Sequence, residues 1–197
     1  QALILVPTIT LVEQWEDECK RFNFSHIIKV SSKNQGWRSE IDDIKLKESL
    51  AESDESSLSF IIITTYASFS RESTFKQLMS LSKKIQRQML LIADEAHNIG
   101  APNIMSKLDR VKILRRIGLS ATPERQFDDK GNKAVMQFFG CDAQYTFEYS
   151  MKEAIDNGFL CRYRYFPHVV RLNEDEMAEY KKISLQLAKF YNIDEGS

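Results

Sequence analysis

The run Met89-Leu90-Leu91-Ile92-Ala93, ended at once by Asp94 and Glu95, constrains this chain more than any other stretch of it. Five consecutive apolar residues are strand-sized and show no polar alternation, so both faces of the strand must be covered. A parallel sheet held between two helical layers meets that condition. Phe60-Ile61-Ile62-Ile63 repeats the pattern. A chain of 197 residues with 43% hydrophobic content can bury the core that such a sheet needs.

The remaining sequence supplies the units. Strand candidates are Ala2–Val6, His26–Val30, Phe60–Thr64, Met89–Ala93 and Arg116–Leu119, and helical periodicity fills Thr10–Phe22, Trp37–Leu50, Ser68–Ser80 and Ala101–Leu108 between them. In the first helix Leu11, Trp15 and Cys19 fall at i, i+4 and i+8 on one face, and Thr8 or Thr10 can cap its start. The alternation predicts an α/β fold, a mostly parallel sheet with helices on both faces, whose functional residues gather at the carboxyl ends of the strands. Residues 51–59, rich in Ser, Glu and Asp, read as a mobile surface loop. Beyond Pro123 the pattern loosens. A polar turn at Asp128–Asn132, a helix ending near Gly140, a strand around Tyr145–Tyr149, a helix at Met151–Asn157 and a strand around Tyr163–Val170 are expected there. Met177, Tyr180, Ile183, Leu187 and Tyr191 then mark an amphipathic helix over Glu174–Tyr191.

Charge and cysteine content narrow the function classes. With 27 Lys and Arg against 28 Asp and Glu, no overall basic field announces a nucleic-acid partner, so any such partner must be held locally. Cys19, Cys141 and Cys161 form neither a disulfide framework nor a zinc cluster, which fits an intracellular setting. No apolar run approaches the ~20 residues of a membrane helix, and no signal peptide opens the chain. A start at Gln1, directly before a strand, reads as a piece of something longer.

The two carboxylates carry the chemistry. At the end of a buried parallel strand they project into the crevice where a nucleotide lies in folds of this class. Asp94 can hold Mg²⁺ through coordinated water, since that ion prefers oxygen ligands and keeps much of its hydration. Glu95 can orient and help deprotonate a water that attacks a γ-phosphate. The structural alternative is a solvated loop in which Asp94 caps the next helix.

Asp94-Glu95-Ala96-His97 resembles motif II of the superfamily 2 helicases in its Asp-Glu-Ala-His spelling. Ser120-Ala121-Thr122-Pro123 is similar to motif III, Leu5-Val6-Pro7-Thr8 with Leu11, Gln14 and Trp15 to motif Ia, and Thr64-Thr65-Tyr66 to motif Ib. All four occur in the family's order, each after an expected strand. The run from Glu148 to Leu160 extends the resemblance toward the restriction and DNA-repair motor branch, which includes the motor subunits of type I and type III restriction enzymes.

The resemblance implies a RecA-like motor domain that uses ATP and Mg²⁺ to move on nucleic acid, with double-stranded DNA as the expected partner. It implies catalytic roles for Asp94, Glu95 and His97, with Asp94 on Mg²⁺. Ser120, Ala121 and Thr122 would couple the nucleotide site to the nucleic-acid track, and Pro7, Thr8, Thr64 and Thr65 would touch that track. It divides the chain into a first motor domain over residues 1–166, without its phosphate-loop portion, and a tail over 167–197 leading toward a second motor domain of the same chain.

One departure stands against these matches: none of the seven glycines is followed by lysine, so the family's phosphate-cradling Gly-Lys-Thr or Gly-Lys-Ser element does not occur in these residues. On that ground this piece alone is expected to be inactive, and a non-hydrolysing scaffold or interaction module that keeps the fold is the rival reading. Individual residues have structural alternatives too. Thr8 serves as a helix cap, Thr65 as a strand-end residue, Ser120 and Thr122 as strand-end hydrogen-bonders, and His97 as a surface imidazole. Arg162 to Phe166 interleave base and aromatic, which suits a single-strand grip but suits a strand with wet arginines and packed aromatics better. Lys83-Lys84 with Arg87 reads as a solvated turn, and Trp15 and Trp37 as core.

Overall fold

The computed structural model describes residues 1–50, 58–141 and 145–193, with side chains to residue 187. Its centre is a five-stranded sheet, entirely parallel, in the order β2-β3-β1-β4-β5, formed by β1 (Ala2–Val6), β2 (Ile27–Val30), β3 (Ile61–Thr65), β4 (Leu90–Asp94) and β5 (Arg115–Leu119). The most deeply buried strands take the inner places: all five residues of β3 are buried, as are four of the five in β1.

Helix α1 (Ile9–Arg21) lies on one face, where Val12 and Cys19 join Ile4, Val6, Ile61 and Ile63, and Leu11 and Trp15 pack alongside. This is the stripe expected from the i, i+4, i+8 spacing. The other face is covered by α2 (Trp37–Leu50), α3 (Tyr66–Phe69), α4 (Glu72–Leu78), α5 (Lys83–Gln88), α6 (Pro102–Met105) and α7 (Asp129–Phe139), whose apolar residues enclose Leu3, Leu5, Ile62 and Leu91 in the larger core. Trp37 belongs to that core. Helices on both faces of a parallel sheet are the architecture expected from the sequence.

Several local expectations need correction. The helix foreseen over Ser68–Ser80 is two helices, because Arg71 is extended (φ −69°, ψ 127°) and breaks the ladder between α3 and α4. The break lets Phe69 and Phe75 meet edge to face at 5.2 Å. Residues Lys83–Gln88 form a helix rather than a solvated turn, capped by Ser82, whose Oγ accepts from the Ile85 N–H. The helix foreseen at Ala101–Leu108 ends at Met105, and a 3₁₀ turn Leu108–Arg110 follows. Most of the expected loop over 51–59 lies outside the described residues.

By its internal contacts the chain divides into two units, Gln1–Thr146 and Phe147–Ser197. The second contains α8 (Met151–Asp156), opened by a capping box between Ser150 and Glu153, and α9 (Glu174–Ile193). The strands expected around Tyr145–Tyr149 and Tyr163–Val170 are absent from the described residues. Tyr163, Tyr165 and Phe166 are exposed, so the packed face expected for that alternation is not found, and among the described residues no partner strand takes up its backbone groups. Met177, Tyr180, Ile183 and Leu187, the expected apolar stripe of α9, are exposed as well. No helix of the described residues is long and apolar enough to cross a membrane.

Candidate active site at the carboxyl edge of the sheet

Because the strands are parallel and nearly in register, the strand ends marked by the sequence open on one edge. Val6 lies beside Thr65, Leu5 beside Ala93, and Asp94 beside Leu119. Asp94 ends β4, and Glu95 turns the chain out of the sheet in a left-handed conformation (φ 50°, ψ 58°). For a residue with a Cβ that conformation costs roughly 1–3 kcal/mol, so the surrounding structure must enforce it. It sends the chain directly into a 3₁₀ turn, Ala96–Gly100, and gathers Asp94, Glu95 and His97 at one corner. Gly118 on β5 makes room for that corner: a Cβ there would come within 2.9 Å of the Ala96 Cβ and 3.0 Å of the Phe139 ring.

Asp94 is fixed from three directions. The Trp15 indole Nε1–H donates to Oδ2 at 2.9 Å, the Glu95 N–H donates to Oδ1 at 3.0 Å, and the Tyr66 hydroxyl donates to the Asp94 carbonyl at 2.9 Å. Burial, with the charges of Asp94 and Glu95 adding to it, pushes the Tyr66 phenol far above its ordinary pKa and keeps it a neutral donor.

Glu95, His97 and Ser120 form a triangle. Ser120 Oγ donates to Glu95 Oε2 at 3.3 Å, and His97 Nδ1 lies 3.3 Å from Ser120 Oγ and 3.5 Å from Glu95 Oε2. The other ring nitrogen, His97 Nε2, lies 3.4 Å from Asn98 Nδ2, so both nitrogens of the ring have polar neighbours. Ser120 Oγ also accepts the Thr122 N–H at 3.2 Å. Glu95 Oε1 has no hydrogen-bond partner among the described residues, so one carboxylate oxygen is held and the other is free to act. Ala121 and Thr122 are exposed beside this triangle.

The loop beyond Pro123 locks onto the same corner. Arg125 donates through Nη1 to the His97 carbonyl at 3.2 Å and through Nε to Asp128 Oδ2 at 2.6 Å, while its backbone N–H and carbonyl are both taken by the Asn132 side chain at 2.8 and 3.0 Å. The Arg125 guanidinium, with the Gly131 N–H, holds the Asp128 carboxyl below the usual range.

The threonines stand apart from the triangle. Thr8 is exposed and caps α1, its Oγ1 accepting from the Leu11 N–H at 3.3 Å, while Pro7 is half-buried. Thr65 caps α3 by accepting from the Ser68 N–H at 3.1 Å, and Thr64 is fully buried with its hydroxyl donated to the Val30 carbonyl at 3.2 Å. Sequence reasoning missed Trp15, Tyr66 and Arg125 as site residues. Trp15 sits on the apolar stripe of α1, where a ring that packs and a ring that also donates are indistinguishable by spacing. Tyr66 was visible as the third residue of Thr64-Thr65-Tyr66.

The donor set at Asp94 is oxygen only, and each of its oxygens spends a single hydrogen bond inside the protein, which leaves lone pairs for a hydrated hard cation. Among the described residues no group of three or more His, Cys, Asp and Glu could form an all-protein cage, so Mg²⁺ held by one carboxylate and water is the arrangement that the residues fit.

A family model described as type III restriction enzyme, res subunit, matches residues 1–125, from the first strand to the loop that carries Arg125. No curated protein matches the chain.

Proposed function

Since the chain belongs to the type III restriction enzyme, res subunit family and so contains a helicase-like ATP-dependent motor domain, we propose that it couples ATP hydrolysis to movement along double-stranded DNA. The observation that carries this reading is the triangle of Glu95, His97 and Ser120, with Asp94 fixed beside it. Residues 25 apart in sequence converge there on one carboxylate.

Asp94 would hold Mg²⁺ through coordinated water, and the ion would supply charge neutralisation at the phosphates. The protein's own part is positioning and proton transfer. Trp15 and the Glu95 N–H hold the Asp94 carboxylate in one rotamer. Ser120 and His97 pin Glu95 Oε2, which leaves Oε1 to orient a water and receive its proton. Thr122 shares the Ser120 hydroxyl, so a displacement of the 120–122 loop alters the support of Glu95. On the nucleic-acid side, Thr64 and Thr65 spend their hydroxyls inside the protein. Phosphate contact at these strand ends therefore falls to exposed Thr8 and to backbone N–H groups, which bind phosphate without basic charge.

Two elements tie the DNA side to the metal carboxylate: Trp15 lies on the helix that follows Pro7-Thr8, and Tyr66 follows Thr65 directly. The test is steady-state ATP hydrolysis by the protein that carries this sequence, with and without duplex DNA. Stimulation of at least tenfold by duplex, and little by single-stranded RNA, is expected; hydrolysis indifferent to every nucleic acid would overturn the reading.

A further inference from the structure

Beyond the carboxyl ends of β2 and β3, away from the triangle, lies a cavity of about 360 Å³, at the small end of the ~300–1,000 Å³ typical of ligand pockets. Its lining includes Ser31, Trp37, Arg38, Ser68, Arg71 and Thr74, and no carboxylate lines it among the described residues. Three separate features make it a site for an anion. Arg38 is stacked over the Trp37 ring at 4.4 Å, which orders the guanidinium, yet it has no acidic partner among the described residues. Arg71, exposed at the break between α3 and α4, makes no side-chain hydrogen bond or ion pair with any described group. Thr74 is 5% exposed, and its hydroxyl finds no hydrogen-bond partner among the described residues although it lines the cavity. The Thr74 oxygen is not one of the sealed, unpaired polar atoms of the described residues, so it is open to whatever fills the cavity, water included. Helix α2 begins at Trp37, so the positive end of a 14-residue helix adds to the field there.

We propose that this cavity grips a backbone phosphate of the bound duplex, with Arg38 and Arg71 pairing with the phosphate oxygens and Thr74 donating to one of them. The proposal rests on the motor reading and deepens it by giving a chain of net charge −1 a local cationic hold on its track. Contacts of this kind fix position without reading sequence. They release counterions, so affinity falls with salt in proportion to the phosphates engaged.

The experiment is fluorescence anisotropy of the purified protein that carries this sequence with a labelled 20-base-pair duplex across a salt series, comparing Arg38→Gln/Arg71→Gln with Lys83→Gln/Arg87→Gln. The second pair removes the same charge from α5, which precedes β4 and lies at the opposite edge of the sheet. The arginine pair should weaken binding about tenfold or more at ~100 mM salt and flatten the logarithmic salt slope by about 1, equally for duplexes of unrelated sequence. The α5 pair should change affinity less than threefold. Arg71→Glu, on an exposed side chain with no partner to lose, gives the same weakening in a variant whose thermal melting matches the parent. If the parent chain binds the duplex and Arg71→Glu binds within twofold of it, the cavity is not a phosphate site and the motor reading stands. If the parent chain fails to bind duplex even at ~50 mM salt, the motor reading falls and this proposal with it.

Discussion

At the scale of single residues, the site is built by ordering two adjacent carboxylates in different ways. Asp94 is held at both oxygens, whereas Glu95 is held at one and left free at the other. The hydrogen bond from Trp15 is the one most open to test. Trp15→Phe keeps an aromatic ring against Val12 and Cys19 but removes the N–H, so Asp94 regains rotameric freedom that a bound cation must then suppress. The half-saturating Mg²⁺ concentration for nucleotide binding should rise about three- to tenfold, while the metal-free protein loses only about 1–2 kcal/mol of stability. Titration of Mg²⁺ against binding of a fluorescent nucleotide measures this, and an unchanged midpoint would show that the indole is merely packed.

At the scale of elements, the sequence disclosed most where burial decides the outcome. The strands β1, β3 and β4 carry apolar runs that suit the middle of a parallel sheet, so their existence and shared edge were legible from those runs and their alternation with helical segments. The segment between Thr65 and Gln88 was less so, because helical periodicity runs through Arg71 unbroken and gives no hint that the backbone opens there. Tertiary contacts set that break. Glu72, at the start of α4, takes two hydrogen bonds from Arg110 at 2.8 and 2.9 Å and one from Lys107 at 2.8 Å. Arg110 and Lys107 also lie over the Phe75 ring at 4.5 and 5.4 Å.

These partners, Arg110 first and Lys107 second, hold the Glu72 carboxyl well below the usual carboxylate range. A carboxyl whose folded pKa is depressed stabilises the fold at every pH above its unfolded value of ~4.3, and that contribution is lost as pH falls through the folded value. Thermal melting of the parent and of Glu72→Gln should therefore differ by a constant amount from pH 8 to about pH 5, with the parent higher. The gap should close as the solution is made more acidic than ~pH 4. A gap that persists unchanged at pH 3 would contradict the ion-pair account of this junction.

At the scale of the whole molecule, the parallel sheet turns a linear order of motifs into one edge with two ends. One end carries the triangle at β4 and β5, and the other carries the arginine-lined cavity at β2 and β3. The connection between them runs through β1, whose exit helix contributes Trp15 to Asp94, and through Tyr66 at the exit of β3. The sequence made the edge legible but not these links, since no spacing rule joins Trp15 to a residue 79 positions away. The segment around Tyr163–Val170 was misread for the opposite reason: local alternation was present, but among the described residues there is no tertiary partner to turn alternation into a strand.

The proposed chemistry rests on Glu95 to activate water while Asp94 holds the metal. Glu95→Gln keeps the volume of the side chain and one oxygen for Ser120, yet removes the proton acceptor. In the protein that carries this sequence, single-turnover ATP hydrolysis by this variant should fall by about 10² to 10⁴, the usual contribution of a general base, with nucleotide affinity changed less than threefold. Hydrolysis within twofold of the parent at unchanged affinity would show that the carboxylate at the corner of β4 takes no proton and that the site has been assigned the wrong chemistry.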